Sequence, residues 1–198
     1  MTEKIKIRPI QKNDCRQVAE LHKTNINIGF LSLLGVPFIK LIYQSMVGSD
    51  AAFCIVAESD NKIVGFVSGA MNLSAFYKKF ARDNFFKASL LLLPKMLKPN
   101  NFKKIYDVLF YPDKTHDLPD AEFLSLVVEE RYRTKGVALK LLSALINDFK
   151  VKGINKFKQL VALKLPHFNK FYEVMGATFH SDRTIYKDEK WRVYIWEI

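Results

Sequence analysis

The stretch 122–145 constrains the fold most, because it reads as a buried strand that leads into an amphipathic helix. Its first half is a nearly continuous apolar run that ends on a charged turn, the pattern of a strand buried on both faces. Its second half repeats apolar residues at steps of three and four, which places them on one helical face. The strand residues are Phe123, Leu124, Leu126, Val127 and Val128, and the helix residues are Ala138, Leu141, Leu142, Leu145 and Phe149. This order predicts a mixed α/β fold.

The turn between this strand and helix has the composition of an anion site. A helix start leaves backbone N–H groups unpaired, and the helix dipole makes the same end attractive to negative charge. Gly136 would let the backbone approach a ligand closely, Ala138 would keep the first turn slim, and Arg133 would add a charge suited to phosphate. An ordinary basic helix start that only joins core elements has the same pattern, so the residues alone leave both interpretations open.

The segment Arg133-Thr134-Lys135-Gly136-Val137-Ala138 resembles the signature of the GNAT superfamily of acyl-CoA-dependent N-acyltransferases. In that signature, Arg or Gln is followed by two residues, Gly, one residue, and then Gly or Ala. The resemblance implies that the amides from Arg133 to Ala138 hold the pyrophosphate of coenzyme A. It also implies that the main chain of Leu126, Val127 and Val128 pairs with the pantetheine arm. The expected fold is then an α/β (α+β) arrangement: a mixed, mostly antiparallel sheet flanked by helices and split open at the motif strand.

Length and composition fit one soluble domain over residues 1–198. With 49% hydrophobic and 26% charged residues, the chain can bury a core without disulfide or metal staples. The start of the chain lacks the apolar core of a secretory signal, and no apolar run approaches the roughly 20 residues that span a bilayer. Cys15 and Cys54 stand in apolar patterns and are expected to pack rather than pair. We therefore expect a cytoplasmic protein, and the spacing of the histidines predicts no metal site.

The net charge of +11 indicates an anionic partner without naming it. Coenzyme A, nucleic acid and an anionic membrane would all suit a basic protein. We expect a small-molecule amine acceptor, one that can itself carry negative charge, rather than nucleic acid. Contact with a membrane surface stays open, as does the choice between a monomer and a homodimer.

The remaining elements can be placed from periodicity and turn residues. We expect a first strand around Ile5 and Ile7, a helix capped by Asn13 or Asp14, and a second helix that opens near Pro37. Three further pairs of elements follow in chain order: a hairpin of strands 53–58 and 63–71, a strand 157–163 with a short helix 166–175, and a closing hairpin of 178–186 and 191–196.

An insertion over residues 73–119 separates the first hairpin from the motif strand, where the family has little chain. It holds nine Lys or Arg against four Asp, and so contributes +5 to the net charge. One helix is expected from about Ala75 to Leu93, ending at Pro94. A second carries the stripe Phe102, Ile105, Tyr106, Leu109 and Phe110. The insertion could cover the acceptor site, contact an anionic surface, or form a solvated structural cap.

Glu122 is the candidate general base. An amine with a pKa of about 10.4 needs about 4.6 kcal/mol to lose its proton at pH 7, so a base or proton relay matters. The resemblance places the base of the histone-modifying branch at this position, eleven residues before Arg133. The alternative is a solvated charge at the strand edge.

Tyr172 is the candidate acid for the departing thiolate. The sequence from Asn169 to Ala177 is similar to the second signature of the family, an aromatic-Tyr pair followed by Gly at the helix end. The family usually has Asn seven positions before the Tyr, where this chain has Leu165, and Asn169 is the candidate replacement for that cofactor contact. The apolar stripe that includes Tyr172 also allows a purely structural role.

The resulting hypothesis is an N-acetyltransferase that moves an acetyl group from acetyl-CoA to a primary amine of a small-molecule or sugar acceptor. The attack would be direct, within a ternary complex. The alternative is a non-catalytic module of the same fold that binds coenzyme A, nucleic acid or a membrane surface.

Overall fold

The computed structural model describes residues 4–27, 31, 34–96, 117–186 and 189–198. Five α-helices and one seven-stranded sheet lie within them. In chain order these are β1 (Lys6–Pro9), α1 (Cys15–Asn25), α2 (Val36–Met46), β2 (Ala52–Ser59), β3 (Lys62–Ala70), α3 (Leu73–Met96), β4 (Glu122–Val128), a 3-10 turn (Glu130–Tyr132), α4 (Val137–Val151), β5 (Lys156–Ala162), α5 (Pro166–Val174), β6 (Thr178–Tyr186) and β7 (Glu189–Glu197).

The sheet has the strand order β1-β2-β3-β4-β5-β7-β6. Every neighbouring pair is antiparallel except β4 and β5, which run parallel. The predicted mixed, mostly antiparallel sheet with flanking helices is confirmed. The first hairpin turns at Asp60 and Asn61, whose φ angles of 49° and 60° are those of a tight two-residue hairpin turn.

Two hydrophobic clusters cover the two faces of the sheet. One contains Val18 of α1, Ile39 of α2 and Phe76 of α3 around Phe66 of β3. The other joins α4 and α5 to the opposite face, through residues that include Leu141, Phe149, Phe123 and Tyr172. Helices α1–α3 and helices α4–α5 therefore lie on opposite sides of β4. A ligand between β4 and β5 would contact both layers of helices.

Asp14 stands at the N-cap position of α1 as predicted, but its side chain does not cap the helix. Its carboxylate accepts two hydrogen bonds from the Arg8 guanidinium, at 2.6 and 3.0 Å, and one from the Gln11 amide at 2.7 Å. Arg8 also donates to Glu58 at 2.6 Å. The prediction that this side chain caps the helix is wrong, because Arg8 of β1 and the Gln11 amide hold the carboxylate instead.

Helix α3 begins two residues earlier than predicted and runs to Met96, past the predicted end at Pro94. Asn72 caps it, since its side-chain oxygen accepts from the Ala75 amide at 2.8 Å. At Asn84 the φ and ψ of −121° and 15° leave the helical region. The side-chain amide of Asn84 donates to the Phe80 carbonyl and to the Ser45 hydroxyl. The predicted second helix of the insertion, with its aromatic stripe, lies outside the described residues. None of the described helices has both the length and the apolar character needed to cross a membrane.

Candidate active site

Strands β4 and β5 separate almost as soon as they meet. Their parallel pairing consists of Glu122 with Lys158 and Phe123 with Gln159. On its other edge β4 pairs with β3 over its whole length, with a register shift that leaves Leu124 as an extra residue. Such a bulge bends its strand, and this one lies where the pairing to β5 ends. The edge of β4 from Leu124 to Val128 therefore faces an open cleft, and the predicted split at the motif strand is confirmed.

A cavity of about 540 Å³ occupies this cleft and reaches both layers of helices. Residues of α1, α2 and α3 line one side, among them His22, Tyr43 and Tyr77. Residues of α5, including Phe171 and Tyr172, line the other. Between them lies the whole of β4, so Glu122, Leu126, Val127 and Val128 all border the cavity. The cavity extends to Arg133 and Ala138 at the start of α4.

The start of α4 has the open backbone that the sequence predicts. Gly136 precedes the helix with a left-handed φ of 72°, and a side chain built there would have no heavy atom within 4 Å. The amides of Arg133 and Lys135 are used within the turn, where they donate to the carbonyls of Glu130 and Tyr132. Within the described chain, four amides of the predicted cradle remain available to a ligand: those of Thr134, Gly136, Val137 and Ala138.

The side chains of the predicted cradle point in different directions. The Val137 side chain is buried in the cluster that joins α4 and α5 to the sheet, so only its backbone amide can contact a ligand. The Lys135 ammonium lies 4.7 Å from the centre of the Tyr132 ring. Arg133 donates to the Val128 carbonyl at 3.2 Å and to the Asn25 side chain at 3.0 Å. Arg133 thus connects the end of β4 to the end of α1 at the cavity wall.

Asn169 is engaged within the protein. Its side-chain nitrogen donates to the carbonyls of Ala162 at 3.3 Å and Leu165 at 2.8 Å, and its side-chain oxygen accepts from the Tyr194 hydroxyl at 3.0 Å. It is buried and does not line the cavity. These bonds fix the start of α5 on the end of β5, which explains the residue without a ligand. The structure does not bring Asn169 together with the other predicted cofactor residues.

Glu122 is buried at the closed end of the cleft. Only 4% of its surface is exposed, which contradicts the alternative of a solvated strand-edge charge. Its carboxylate lies 3.9 Å from the Lys158 ammonium on β5. Burial lowers the pKa of Lys158, while the negative charge of Glu122 acts in the opposite direction. Glu122 and Tyr77 both line the cavity.

Tyr172 lies in the core and at the cavity at once. Its ring packs edge-on against Phe123 at 5.6 Å and Trp196 at 6.3 Å, and 5% of the residue is exposed. Burial raises the pKa of its phenol, an effect that the nearby Gln159 side chain partly offsets. The phenol is therefore protonated at neutral pH, as a proton donor must be, and the structural and chemical roles do not exclude each other.

The sequence matches the model of the Acetyltransferase (GNAT) family over residues 30–177, well over half of the chain. This chain belongs to the GNAT acetyltransferase family. It is therefore an acyltransferase, of a family that uses acetyl-CoA. A search of curated protein sequences gave no match.

Solved structures of GNAT acetyltransferases share the whole fold. A variant of the spermidine N-acetyltransferase SpeG from Vibrio cholerae is 16% identical, with 98% of this chain and 93% of that chain covered and a TM-score of 0.60. The ribosomal-protein-S18-alanine N-acetyltransferase from Escherichia coli is 12% identical, with 98% and 94% covered and a TM-score of 0.63. The PaiA N-acetyltransferase from Thermoplasma acidophilum, in complex with coenzyme A, is 13% identical, with 98% and 99% covered and a TM-score of 0.60. At these identities the likeness shows the fold and leaves the acceptor open.

The acetyltransferase also has a polar pair in its cavity that the sequence did not single out as functional. The His22 Nδ1 atom lies 2.8 Å from the Tyr43 hydroxyl, and both residues line the cavity on the side of α1 and α2. Burial lowers the pKa of His22 to about 4, so the ring is neutral at physiological pH. The only signal in the sequence is a histidine four positions after Val18 in the buried stripe of α1, and that pattern more often marks core.

Among the described residues of the acetyltransferase, no group of His, Cys, Asp and Glu could hold a metal ion. The polar side chains that line the cleft include those of Glu122 and Tyr172 and the His22–Tyr43 pair.

Proposed function

We propose that this acetyltransferase moves the acetyl group of acetyl-CoA to a primary amine of a small-molecule acceptor, amino sugars included. The attack is direct, within a ternary complex. One observation carries the proposal: one cavity lies in the split of the sheet, and both Glu122 of β4 and Tyr172 of α5 line it.

Acetyl-CoA supplies the acyl group as a thioester, and the residues of the cleft suit such a ligand. The free edge of β4 offers main-chain groups of Leu126, Val127 and Val128 to an extended arm, in the way that one strand adds to another. The open amides at Thr134, Gly136, Val137 and Ala138 suit a pyrophosphate at a helix start. Arg133 supports this region by joining β4 to α1, and its charge adds to the attraction.

Glu122 serves as the base. An amine with an ordinary pKa holds its proton at pH 7, and its removal costs about 4.6 kcal/mol. A carboxylate at the closed end of the cavity attracts the ammonium form and receives its proton, directly or through water. The acceptor must therefore reach the end of the cavity bordered by Glu122 and Tyr77.

Tyr172 serves as the acid. A thiol near pKa 8.5 is a better leaving group than an amine, but the thiolate still gains from a donated proton. The raised pKa of the buried phenol keeps the proton on Tyr172 until the thiolate forms. The contribution is modest, because a phenol is a weaker acid than a thiol and burial raises the pKa of Tyr172 further, so the proton transfer is uphill.

The cysteines argue for direct attack rather than transfer through an acylated thiol. Neither Cys15 nor Cys54 lines the cavity. Burial raises the pKa of the Cys15 thiol to about 11 and that of Cys54 well above its ordinary value. Since the thiolate is the nucleophile, both side chains are poor candidates for an acyl intermediate.

The experiment is a free-thiol assay with acetyl-CoA and a panel of amines that spans polyamines, amino sugars, nucleotide-linked amino sugars and a peptide N-terminus. We expect thiol release that depends on the amine, with initial-velocity lines that intersect. Parallel lines would contradict direct attack. In the same assay, the Glu122→Gln variant should turn over more slowly at neutral pH, because it lacks the proposed base. Reactions without amine serve as the control for simple hydrolysis.

A second, anionic partner is the alternative to an acceptor that is only a small molecule, because the net charge of +11 suits nucleic acid or an anionic membrane as well as coenzyme A. Gel shifts with DNA and RNA, and sedimentation with anionic vesicles, test for such a partner.

A further inference from the structure

Two oppositely charged side chains lie buried together at the closed end of the cleft. The side chains of Glu122 and Lys158 are each 5% exposed, and the Lys158 Nζ atom lies 3.9 Å from a carboxylate oxygen of Glu122. Nζ also donates to the Pro119 carbonyl at 2.6 Å, which fixes the ammonium in place. Lys158 itself does not border the cavity, so it supports the site from behind.

Strand register brings the pair together. Glu122 and Lys158 are direct partners in the parallel ladder, and partners in a ladder project their side chains from the same face. They form one of only two registers that join β4 to β5 before the strands separate. The amide of Lys158 adds a hydrogen bond to the Ala121 carbonyl at 2.9 Å. The spacing of the two charges is thus set by the same contacts that close the cleft.

Buried charges of this kind are costly unless they are paired. A carboxylate taken out of water tends to bind a proton, and an opposite charge within about 4–6 Å restores its ionised form. Tyr77 of α3 also faces Glu122, and burial together with that carboxylate raises the pKa of its phenol, so it is uncharged at neutral pH. Burial lowers the pKa of Lys158, and the negative charges of Glu122, Asp120 and Asp117 oppose this shift and favour the charged form.

We propose that Lys158 is a positioning residue for acetyl transfer, whose buried ammonium lies beside Glu122 at the closed end of the cleft and keeps that carboxylate ionised. The inference rests on the proposed role of Glu122 as base. A base must be ionised before the amine arrives. Lys158 acts through Glu122, because Glu122 lines the cavity and Lys158 does not.

The test is the pH dependence of kcat/KM for the amine, in the wild type and in Lys158→Met. Loss of the ammonium should move the acidic limb to higher pH by about one unit or more, with activity recovering as the pH rises. Lys158→Arg keeps the charge and should keep the limb near its wild-type position. Lys156→Met is the matched control, because Lys156 lies two residues away on the same strand in an exposed pair with Glu197. A Lys158→Met profile that falls equally at every pH overturns the proposal.

A second measurement does not depend on turnover. The side-chain carboxyl carbon of Glu122, assigned by its loss in Glu122→Gln, can be titrated by ¹³C NMR without substrate. Its midpoint should be higher in Lys158→Met than in the wild type, and an unmoved midpoint overturns the proposal whatever the activity does. If no amine is turned over, the proposed function fails while this titration still decides the pair. Should Lys158→Met fail to fold, Lys158→Gln removes the charge but keeps a donor for the Pro119 carbonyl.

Discussion

The burial of His22 makes the stability of the fold depend on pH. The ring lies in the core of the α1 layer, stacked 6.1 Å from Phe66 and bonded to Tyr43. Burial disfavours its charged form and lowers its pKa to about 4 from 6.5. In the unfolded chain the same ring takes a proton below about pH 6.5, so between these values the unfolded state binds more protons than the folded state.

The stability of the protein should therefore fall as the pH falls from about 6.5 to about 4. The contribution of His22 to this loss is on the order of 3 kcal/mol. Denaturant unfolding of the wild type and His22→Gln, measured at several pH values, checks it: the variant should lose less stability over this window. Equal slopes would mean that His22 is protonated in the fold without cost.

Tyr172 allows a test of catalysis at a residue whose packing is already known. Tyr172→Phe keeps the ring against Phe123 and Trp196 and removes only the hydroxyl, so turnover should fall about ten- to a hundredfold with little change in acetyl-CoA affinity. Tyr194→Phe is the control. Its ring is buried in the same cluster, but its hydroxyl bonds Asn169 and Glu173 away from the cavity. An unchanged kcat in Tyr172→Phe would leave the residue a packing role only.

At the scale of elements, the sequence predicted those strands and helices whose signals come from neighbouring residues. The apolar run of β4 and the stripe of α4 identify a strand and a helix because each signal lies within a dozen residues. Gly136 was identified from its place in the turn between strand and helix, but its left-handed φ was not predicted, because residues that precede a helix usually have an extended backbone.

Contacts between distant elements were not predictable in this way. Lys158 lies in an alternating segment that reads as solvent-exposed, yet its partner and its burial come from β4, far away in sequence. Asn169 reads as a ligand contact on its helical face, but Tyr194 of β7 takes its side-chain oxygen. The extra residue at Leu124 depends on the pairing of β4 with β3, which no pattern within β4 reveals.

The packing of α4 on β3 gives a prediction at this scale. Gly69 lies where a Cβ would come within 2.9 Å of the ring atoms of Phe53 and Phe149. Phe149 cannot move away easily, because its ring stacks on Phe157 with 4.5 Å between the ring centres. Gly69→Ala should cost about 1–3 kcal/mol of unfolding free energy by overpacking.

Chemical denaturation of Gly69→Ala alone and combined with Phe149→Leu separates overpacking from a change in strand propensity. The smaller side chain should relieve part of the penalty, so the two effects should be less than additive. Strict additivity would show that the contact between Gly69 and the aromatic rings is not the cause.

At the scale of the whole molecule, the sheet consists of two parts that meet at β4 and β5. Strands β1–β4 form one part and β5–β7 the other, and only two ladder registers join them. The cavity with its proposed acetyl-CoA site lies along this junction, bordered by β4 on one side and by Gln159, Leu160 and Val161 of β5 on the other. A ligand in the cleft therefore contacts both parts, and its binding free energy stabilises their association.

Acetyl-CoA should accordingly raise the melting temperature of the protein. At 100 times its dissociation constant, a ligand that binds only the folded state adds about 2.7 kcal/mol. Gly136→Glu should abolish the shift, because it places a negative charge at the open amides where the pyrophosphate is expected. Gly153→Glu is a closely matched control at the other end of α4, since Gly153 has a φ of 73° against 72° for Gly136 and neither position has a heavy atom within 4 Å of a built Cβ. Both variants should lose stability from backbone strain, but Gly153→Glu should keep the acetyl-CoA shift. Loss of the shift in both variants, or in neither, would place the cofactor away from the start of α4.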